Sequence, residues 1–356
     1  MSGTTVAQMR SFKLQQFGRP LCEAVEPLPV PKGREVLVRV RCCGVCHSDI
    51  HLWEGHFDLG GGQSMDLSKA LNLPRTLGHE ISGTVIQAGA EADISTGEPV
   101  LVYPWIGCGR CALCRSGSEH LCARPEALGT SIDGGFSDHV LVPDARYLLP
   151  LGDLPEALAA TYACSGLTAY SAVRKAIGAL NGGKLLIVGA GGVGLAAIRI
   201  ASNAFGVSPI VAEINRDRWD LARQAGAVET IDPTDADQRR RLMRQTEGGV
   251  GAAIDFVGSQ STVEFSLSLL RKAATLFIVG LFGGSTSLQL PLIPLKGIHI
   301  AGSYVGSLAE LKELLQIARD GKLGAMPITE RPLSDAQAAL DELRSGRVAG
   351  RIVLRP

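Results

Sequence analysis

The chain has no excess of charge of either sign: Lys plus Arg and Asp plus Glu number 35 each over 356 residues. Without a global basic field it has no electrostatic reason to bind nucleic acid or an acidic membrane surface, and both partners are set aside. No apolar run approaches the roughly 18–20 residues that span a bilayer, and the N-terminus lacks the apolar segment of a secretory signal. Internal repeats and low-complexity linkers are also missing. These absences predict a soluble, cytoplasmic protein whose ligands are small molecules. What is present is ample core material, with 46% hydrophobic and 20% charged residues. The length suits two domains of about 100–200 residues each. In a reducing compartment the nine cysteines are expected to serve metal binding or catalysis rather than a disulfide framework.

The densest chemistry lies between Cys43 and His51, which is expected to form a loop after the alternating strand Glu35 to Val40. Cys46 can ligate a borderline-soft metal as a thiolate, Ser48 can handle a proton there, Asp49 can orient a ligating imidazole and His51 can pass the proton to water. A Cys-His pair alone is more often an ordinary turn than a metal site, so the reading depends on further ligands elsewhere. His79, in Leu77-Gly78-His79-Glu80, lies before glycines Gly83 and Gly89 that suggest close backbone approach, although a hairpin with an exposed histidine fits the same residues. Between them the stretch Met65 to Leu73, after Gly60-Gly61-Gly62, is expected to be helical.

Cys108, Cys111, Cys114 and Cys122 form a Cys-x2-Cys-x2-Cys-x7-Cys pattern. Four thiolates at this spacing close a tetrahedron around zinc and leave no open position, which predicts a structural site. A zinc ribbon for nucleic acid is the rival, weakened by the acidic and neutral neighbours and the lack of a basic, aromatic surface. Cys164 lies near the start of an Ala-rich helical segment, Pro155 to Ala176. On its own it reads as a small buried hydrophobe.

Lys184 to Val188 is a short apolar run of buried-strand type, followed at once by Gly189, Gly191, Gly192 and Gly194 and a helix from Leu195 to about Phe205. The next strand, Ile210 to Ala212, ends in Glu213. Strand, glycines, helix, strand and acid fall where a dinucleotide fold needs them, with backbone amides facing the pyrophosphate and Glu213 on the adenosine ribose. Glu213 favours NAD over NADP, while Arg216 and Arg218 nearby could accommodate a phosphate; a flavodoxin-like fold without cofactor is the alternative. Strands alternating with helices to about Leu281 predict a doubly wound parallel sheet. Helices Leu308 to Asp320 and Ser334 to Ser345 and a strand Gly350 to Leu354 follow.

Taken together, Gly44 to Asp49, Gly78-His79-Glu80 with Gly83 and Gly89, the four-cysteine lobe, Cys164, and Gly189 to Gly194 with Glu213 resemble the zinc-dependent medium-chain alcohol dehydrogenases over the whole chain. The resemblance implies a catalytic zinc on Cys46, His79 and Cys164 with Glu80 close behind the metal. This Cys2His set is one for which alcohol dehydrogenase is itself the standard example. It further implies Asp49 as partner of His79, Ser48 and His51 as the proton relay, and His47, Arg218 and Arg351 near the cofactor. The implied fold is an NAD-binding Rossmann domain (165–304) inserted in a mostly β, GroES-like catalytic domain (1–164 and 305–356). Two zincs per chain and a homo-oligomer, dimer or tetramer, are expected.

Residues His51 to Gly55 and Pro104 to Cys108 look most like bacterial members that oxidise medium-chain primary alcohols or omega-hydroxy acids such as 6-hydroxyhexanoate. Phe57 and Trp105 are expected to line the pocket, and the longer segment Leu59 to Leu73 to border its mouth. A secondary-alcohol or polyol dehydrogenase is the alternative, and a non-catalytic dinucleotide-binding relative a remote one. Cys22, Cys42 and Cys43 receive no role.

Overall fold

The computed structural model describes residues 7–69 and 71–356. Residues 1–6, part of the N-terminal stretch considered for a signal, and Ala70, within the stretch expected to be helical, lie outside it.

Two sheets organise the described residues. The first has six parallel strands in the spatial order Glu229–Ile231, Ile210–Ala212, Leu185–Val188, Val250–Asp255, Leu270–Ile278 and His299–Gly302. Its central strands are buried along their whole length, Leu185–Val188 and Val250–Asp255 alike. A parallel strand covered by helices on both faces must be apolar throughout, which is why these runs do not alternate. From Leu185–Val188 the chain builds outward first one way and then the other. The crevice at the carboxyl ends of Leu185–Val188 and Val250–Asp255 is therefore the topological switch point, where open α/β sheets bind ligands.

The second sheet is mostly antiparallel. It runs Leu148–Pro150, Pro99–Val102, Glu80–Ala88, Val36–Gly44, Arg351–Arg355, Ile328–Pro332, with His139–Val142 also on Val36–Gly44. Its strands come from both ends of the sequence: Val353 pairs with Gly44 and Leu354 with Cys43. The expected return of the C-terminus to the N-terminal sheet thus places Arg351 beside the strand that carries Cys43 and Gly44. Ile328–Pro332, which had no clear sequence signal, pairs parallel to the last strand.

A single long helical passage joins the sheets: Glu156–Thr161, a π-helical turn Tyr162–Gly166, and Leu167–Gly178. Leu167, Ala169, Ala172, Val173 and Ala176 are fully buried and belong to one core with Val38 and Ile81 of the antiparallel sheet and Ile187 and Ile254 of the parallel one. Burial of a Leu or Val side chain contributes about 1.5–3 kcal/mol, so this shared core holds the two sheets in fixed relation and fixes the crevice between them.

Two expectations change. Residues 47–54 form a helix, His47–Glu54, not a loop: Cys46 caps it, the Asp49 side chain bonds back to the Cys46 N–H, and Gly55 ends it at φ 80. The stretch after the triple glycine is not helical. His56–Gly60 and Gln63–Asp66 pair as an antiparallel hairpin, because Gly60, Gly61 and Gly62 all take positive φ and turn the chain back. After the hairpin the Leu71 N–H bonds the Leu67 carbonyl.

Candidate active site and metal centres

Cys46, His79 and Cys164 come from a helix cap, the residue before a strand, and the π-helical turn, and their ligand atoms all lie within 4.8 Å of one another. One carboxylate sets two of them. Asp49, with no exposed surface, accepts from the Cys46 N–H at 2.9 Å through Oδ2 and from the Gly78 N–H at 3.1 Å through Oδ1, which also lies 3.2 Å from Nδ1 of His79. The other imidazole nitrogen, Nε2, is buried without a hydrogen-bond partner. A buried polar atom left unpaired costs about 1–3 kcal/mol, so its aim toward two thiols marks a place for a cation.

The Cys164 Sγ lies 3.9 Å from the Cys46 Sγ. The helix through Cys164 was expected from composition. The widened turn was not; it adds a residue locally and is of the kind found at functional sites.

The electrostatics fit a metal centre. Hydrogen bonding from the Cys164 thiol, with the charge of His79 and Arg351 adding to it, holds Cys46 well below the usual thiol range. Bonding to Cys46 and burial push Cys164 well above it. Burial opposes charge on His79, but Asp49 and Cys46 outweigh it and raise the imidazole well above its ordinary value. The three groups together are suited to hold a cation, whose binding displaces their protons.

Glu80 does not join this group. Its carboxylate accepts from the Ser165 N–H at 3.0 Å and from the Arg351 guanidinium, in an ion pair with almost no exposed surface. Burial raises the Glu80 carboxyl, partly offset by Arg351. A cation already beside the acid is the reason it stands apart from the expected ligand set.

The relay candidates lie along the helix His47–Glu54. The Ser48 Oγ is 3.8 Å from the Cys46 Sγ, and His51, one turn on, packs its ring against Phe57 with centroids 4.8 Å apart and planes tilted by 43°. Burial lowers the pKa of His51. It also lowers that of His47, whose charged neighbours include Arg351 and Arg218.

Arg351 also meets the glycine turn: a Cβ on Gly192 would lie 2.7 Å from its Cδ. At the turn itself Gly189 takes φ 92, and a Cβ on Gly194 would lie 1.9 Å from the Gly189 carbonyl oxygen, so no larger residue fits. The helix Gly192–Arg199 begins there, earlier than the sequence suggested. Glu213 accepts from the Ala190 N–H at 2.7 Å through one oxygen and from the Asn215 N–H at 2.8 Å through the other, leaving lone pairs on both for ribose hydroxyls. Arg218, expected at the cofactor, donates to the carbonyls of Gly346 and Val348 through one guanidinium nitrogen and is a charged neighbour of His47.

Cys108, Cys111, Cys114 and Cys122 also converge, with ligand atoms within 4.8 Å of one another. The Cys114 N–H points at the Cys111 Sγ (3.5 Å) and the Cys108 N–H at the Cys122 Sγ (3.4 Å). Backbone donors from Arg110 and Cys111 bring the Cys108 thiol down to about 6. A Cβ on Gly107 would sit 2.6 Å from the Cys114 Sγ.

Residues 32–153 match the family described as Alcohol dehydrogenase GroES-like domain and residues 192–320 that described as Zinc-binding dehydrogenase. An NAD-dependent alcohol dehydrogenase of Sulfurisphaera tokodaii is 38% identical over 98% of this chain and 100% of its own. The chain belongs to the zinc-binding alcohol dehydrogenase family. A D-arabinose 1-dehydrogenase (NADP(+)) of Saccharolobus solfataricus is 30% identical over the full length of both chains. The crystal structure of an alcohol dehydrogenase from Aeropyrum pernix superposes with a TM-score of 0.87 at 32% identity, covering 98% of this chain and 100% of that one.

As a member of this alcohol dehydrogenase family the protein is an NAD-dependent oxidoreductase that uses zinc, with a GroES-like part and a Rossmann sheet. Both centres fit the metal. The trio is the Cys2His set for which alcohol dehydrogenase is the standard example, and the four thiols form a closed structural set. The two sites account for six of the nine free cysteines. Cys42 and Cys43 are buried in the sheet and Cys22 is partly exposed; none joins a site.

Beside the trio a cavity of about 770 Å³ opens between the two sheets. Ser48, Phe57 and Trp105 line it, as expected of the last two, together with Leu59, Met65, Leu67 and Leu71 from the long segment. Trp105 is fixed by its Nε1–H on the Ala163 carbonyl (3.0 Å) and lies 5.2 Å from the His79 ring. The sequence reading missed Leu52, His120 and Tyr304 in the wall. Leu52 sits one residue past His51, a relay candidate, and was the most accessible signal. Tyr304 reaches the cavity only through the fold, packing edge-on against Trp105 at 5.8 Å.

Proposed function

We propose that this dehydrogenase oxidises primary, medium-chain alcohols to aldehydes with NAD, and runs the reverse reaction. The observation that carries this reading is the cavity wall: Leu52, Leu59, Met65, Leu67 and Leu71 supply aliphatic surface, and Phe57 and Trp105 supply flat aromatic faces. Such a lining takes up an unbranched chain by area burial, about 0.8 kcal/mol per methylene, and has little use for a compact ring. In turnover of hexan-1-ol and cyclohexanol, hexan-1-ol is expected to have the higher kcat/KM. Equal or better turnover of the ring overturns the reading.

Cys46, His79 and Cys164 would hold the catalytic zinc and the cleft at Gly189 to Gly194 the NAD; the metal supplies Lewis acidity and the cofactor the two-electron acceptor. The chain's own groups do the rest. Ser48, beside Cys46, takes the alcohol proton, and His51, one helical turn further along, passes it to water. Asp49 keeps His79 facing the metal position. Arg351, held by Glu80, puts positive charge against the glycine turn where a pyrophosphate needs it, with His47 close by. Trp105 and Phe57 keep water from the reacting carbon.

In this reading residues 1–164 with 305–356 carry the chemistry and 165–304 the cofactor. Zinc in the four-cysteine lobe is structural. The free thiols fit a reducing compartment such as the cytoplasm, and among the described residues no helix is long and apolar enough to cross a membrane. A homo-oligomer is proposed because His299–Gly302 is an edge strand that carries exposed Ile300 and follows a segment with exposed Phe282, Leu290 and Leu295, a combination that natural proteins usually cover. Light scattering at working concentration tests it, and a monomeric mass contradicts it.

A further inference from the structure

The cavity holds a polar group that the reaction does not use. His120 lies on the short turn Glu119–Leu121, between Cys114 and Cys122 of the four-cysteine lobe, and its ring lines the cavity. Its Nε2 is accessible and its Nδ1 buried, and neither has a hydrogen-bond partner. Among the described residues only one other histidine has such a buried nitrogen, His79, where it marks the metal position. His120 is not part of that ligand group, and its charged neighbours are Glu310 and Lys175, not the catalytic thiols or Asp49.

The nearby polar groups are already engaged. Ser131 accepts from the Ala127 N–H and donates to the Pro125 carbonyl, and Thr130 donates to the Ala127 carbonyl. Glu119 accepts from Tyr147 at 2.6 Å and from Arg146. His120 therefore has hydrogen-bonding capacity that its protein neighbours leave open, in a wall whose other hydroxyls are already engaged or lie at the reaction centre and whose surface is mostly apolar. A buried polar group of this kind discriminates strongly between a ligand that pairs with it and one that does not.

The charge of the wall narrows the chemistry of that ligand. Asp58 and Glu119 line the cavity, and among the described residues no Lys or Arg does. A carboxylate at the end of the substrate would find no cation in the wall to pair with, only Asp58 and a Glu119 already paired with Arg146, so little would offset its desolvation cost. A hydroxyl carries no such cost, and it can both donate to and accept from an imidazole.

We propose that His120 is a specificity-determining residue that hydrogen-bonds a second, remote hydroxyl of the substrate, so that the preferred alcohols are unbranched diols with hydroxyls at both ends. This rests on the primary-alcohol reading above and names the substrate class within it. It also gives the four-cysteine lobe a part in substrate choice, since the lobe carries the residue that reads the far end.

The test compares hexan-1-ol, hexane-1,6-diol and 6-hydroxyhexanoate on the zinc- and NAD-loaded wild-type enzyme. The diol is expected to exceed hexan-1-ol in kcat/KM by about tenfold, beyond the statistical advantage of two equivalent ends, chiefly through KM, the factor that one added hydrogen bond supplies. The hydroxy acid is expected to fall below both. In His120→Leu the diol-to-monool ratio should collapse toward the statistical value, and in His120→Asn, which keeps a donor and an acceptor, part of it should return. A wild-type ratio near the statistical value overturns the proposal, as does a ratio that survives His120→Leu in protein of normal zinc content, or preference for the hydroxy acid. The wild-type comparison decides even if the variants fail to fold. Absence of hexan-1-ol turnover would instead defeat the primary-alcohol reading, so the two failures are distinguishable.

Discussion

Asp49 and His79 face each other with no exposed surface, Oδ1 to Nδ1 at 3.2 Å. The contact fixes which imidazole nitrogen is left for a metal, because a proton held on Nδ1 leaves Nε2 with its lone pair. The same carboxylate caps the helix that begins after Cys46. One side chain therefore aligns two of the three ligands. Asp49→Asn keeps the shape and removes the charge. It is expected to lower zinc affinity or kcat/KM by about 10–100-fold, measured by competition with a chelator and by steady-state rates. Full zinc retention with unchanged kcat/KM would show that the contact is incidental.

His51 gives a pH prediction. Burial lowers its pKa below the roughly 6.5 of an unfolded histidine, so the folded protein favours the neutral ring. Its contribution to stability is fully present above the unfolded value and is lost as pH falls through the folded one. As proton acceptor it acts only when neutral. The acid limb of the kcat/KM profile for alcohol oxidation should therefore lie below pH about 6.5. His51→Gln should remove that limb and slow oxidation by at least about tenfold. An unaltered limb in the variant would assign it to another group.

Glu213 should set the cofactor. Glu213→Ala removes an acceptor for the ribose and the partner of the Ala190 and Asn215 amides. NAD is expected to bind roughly 10–100-fold more weakly, with a smaller loss for NADP, which loses a repulsion as well. Titration of both cofactors by protein fluorescence checks this, and an unchanged NAD-to-NADP ratio contradicts it.

The local patterns were legible in the sequence and the convergences were not. The four-cysteine spacing and the turn Gly189 to Gly194 lie within short windows, so both could be read from the residues themselves. Cys46 and Cys164 are 118 positions apart, and no periodicity joins them; only the family resemblance linked them with His79. The Ala-rich run around Cys164 reads as ordinary helix because its composition is the same whether or not a turn is widened. Glu80 was expected close behind the metal, and Cys46 and His79 are indeed among its charged neighbours, but its pairing with Arg351, 271 positions away, could not be read. Only the pairing of the last strand with Val36–Gly44 reveals that. The hairpin after Gly55 was read as helix from Met65 onward because its apolar residues fit either structure, and the glycine turn decided the matter.

The four-cysteine lobe should affect stability before chemistry. Cys111→Ser opens a closed ligand set, and a loss of about 3 kcal/mol would lower Tm by roughly 6–12 °C for a domain of this size. Calorimetry with zinc analysis is the check. A variant that lacks this zinc and melts like the wild type would mean the metal does not hold the lobe together.

The most direct test of the central claim joins metal content to turnover in Cys46→Ser. The wild type should carry about two zincs per chain, one for each centre, and produce NADH absorbance that depends on added alcohol. Cys46→Ser should retain the zinc of the four-cysteine lobe, still bind NAD and lose alcohol-dependent NADH formation. Wild-type turnover in that variant, or a wild type that turns over with the lobe zinc alone, would contradict the account.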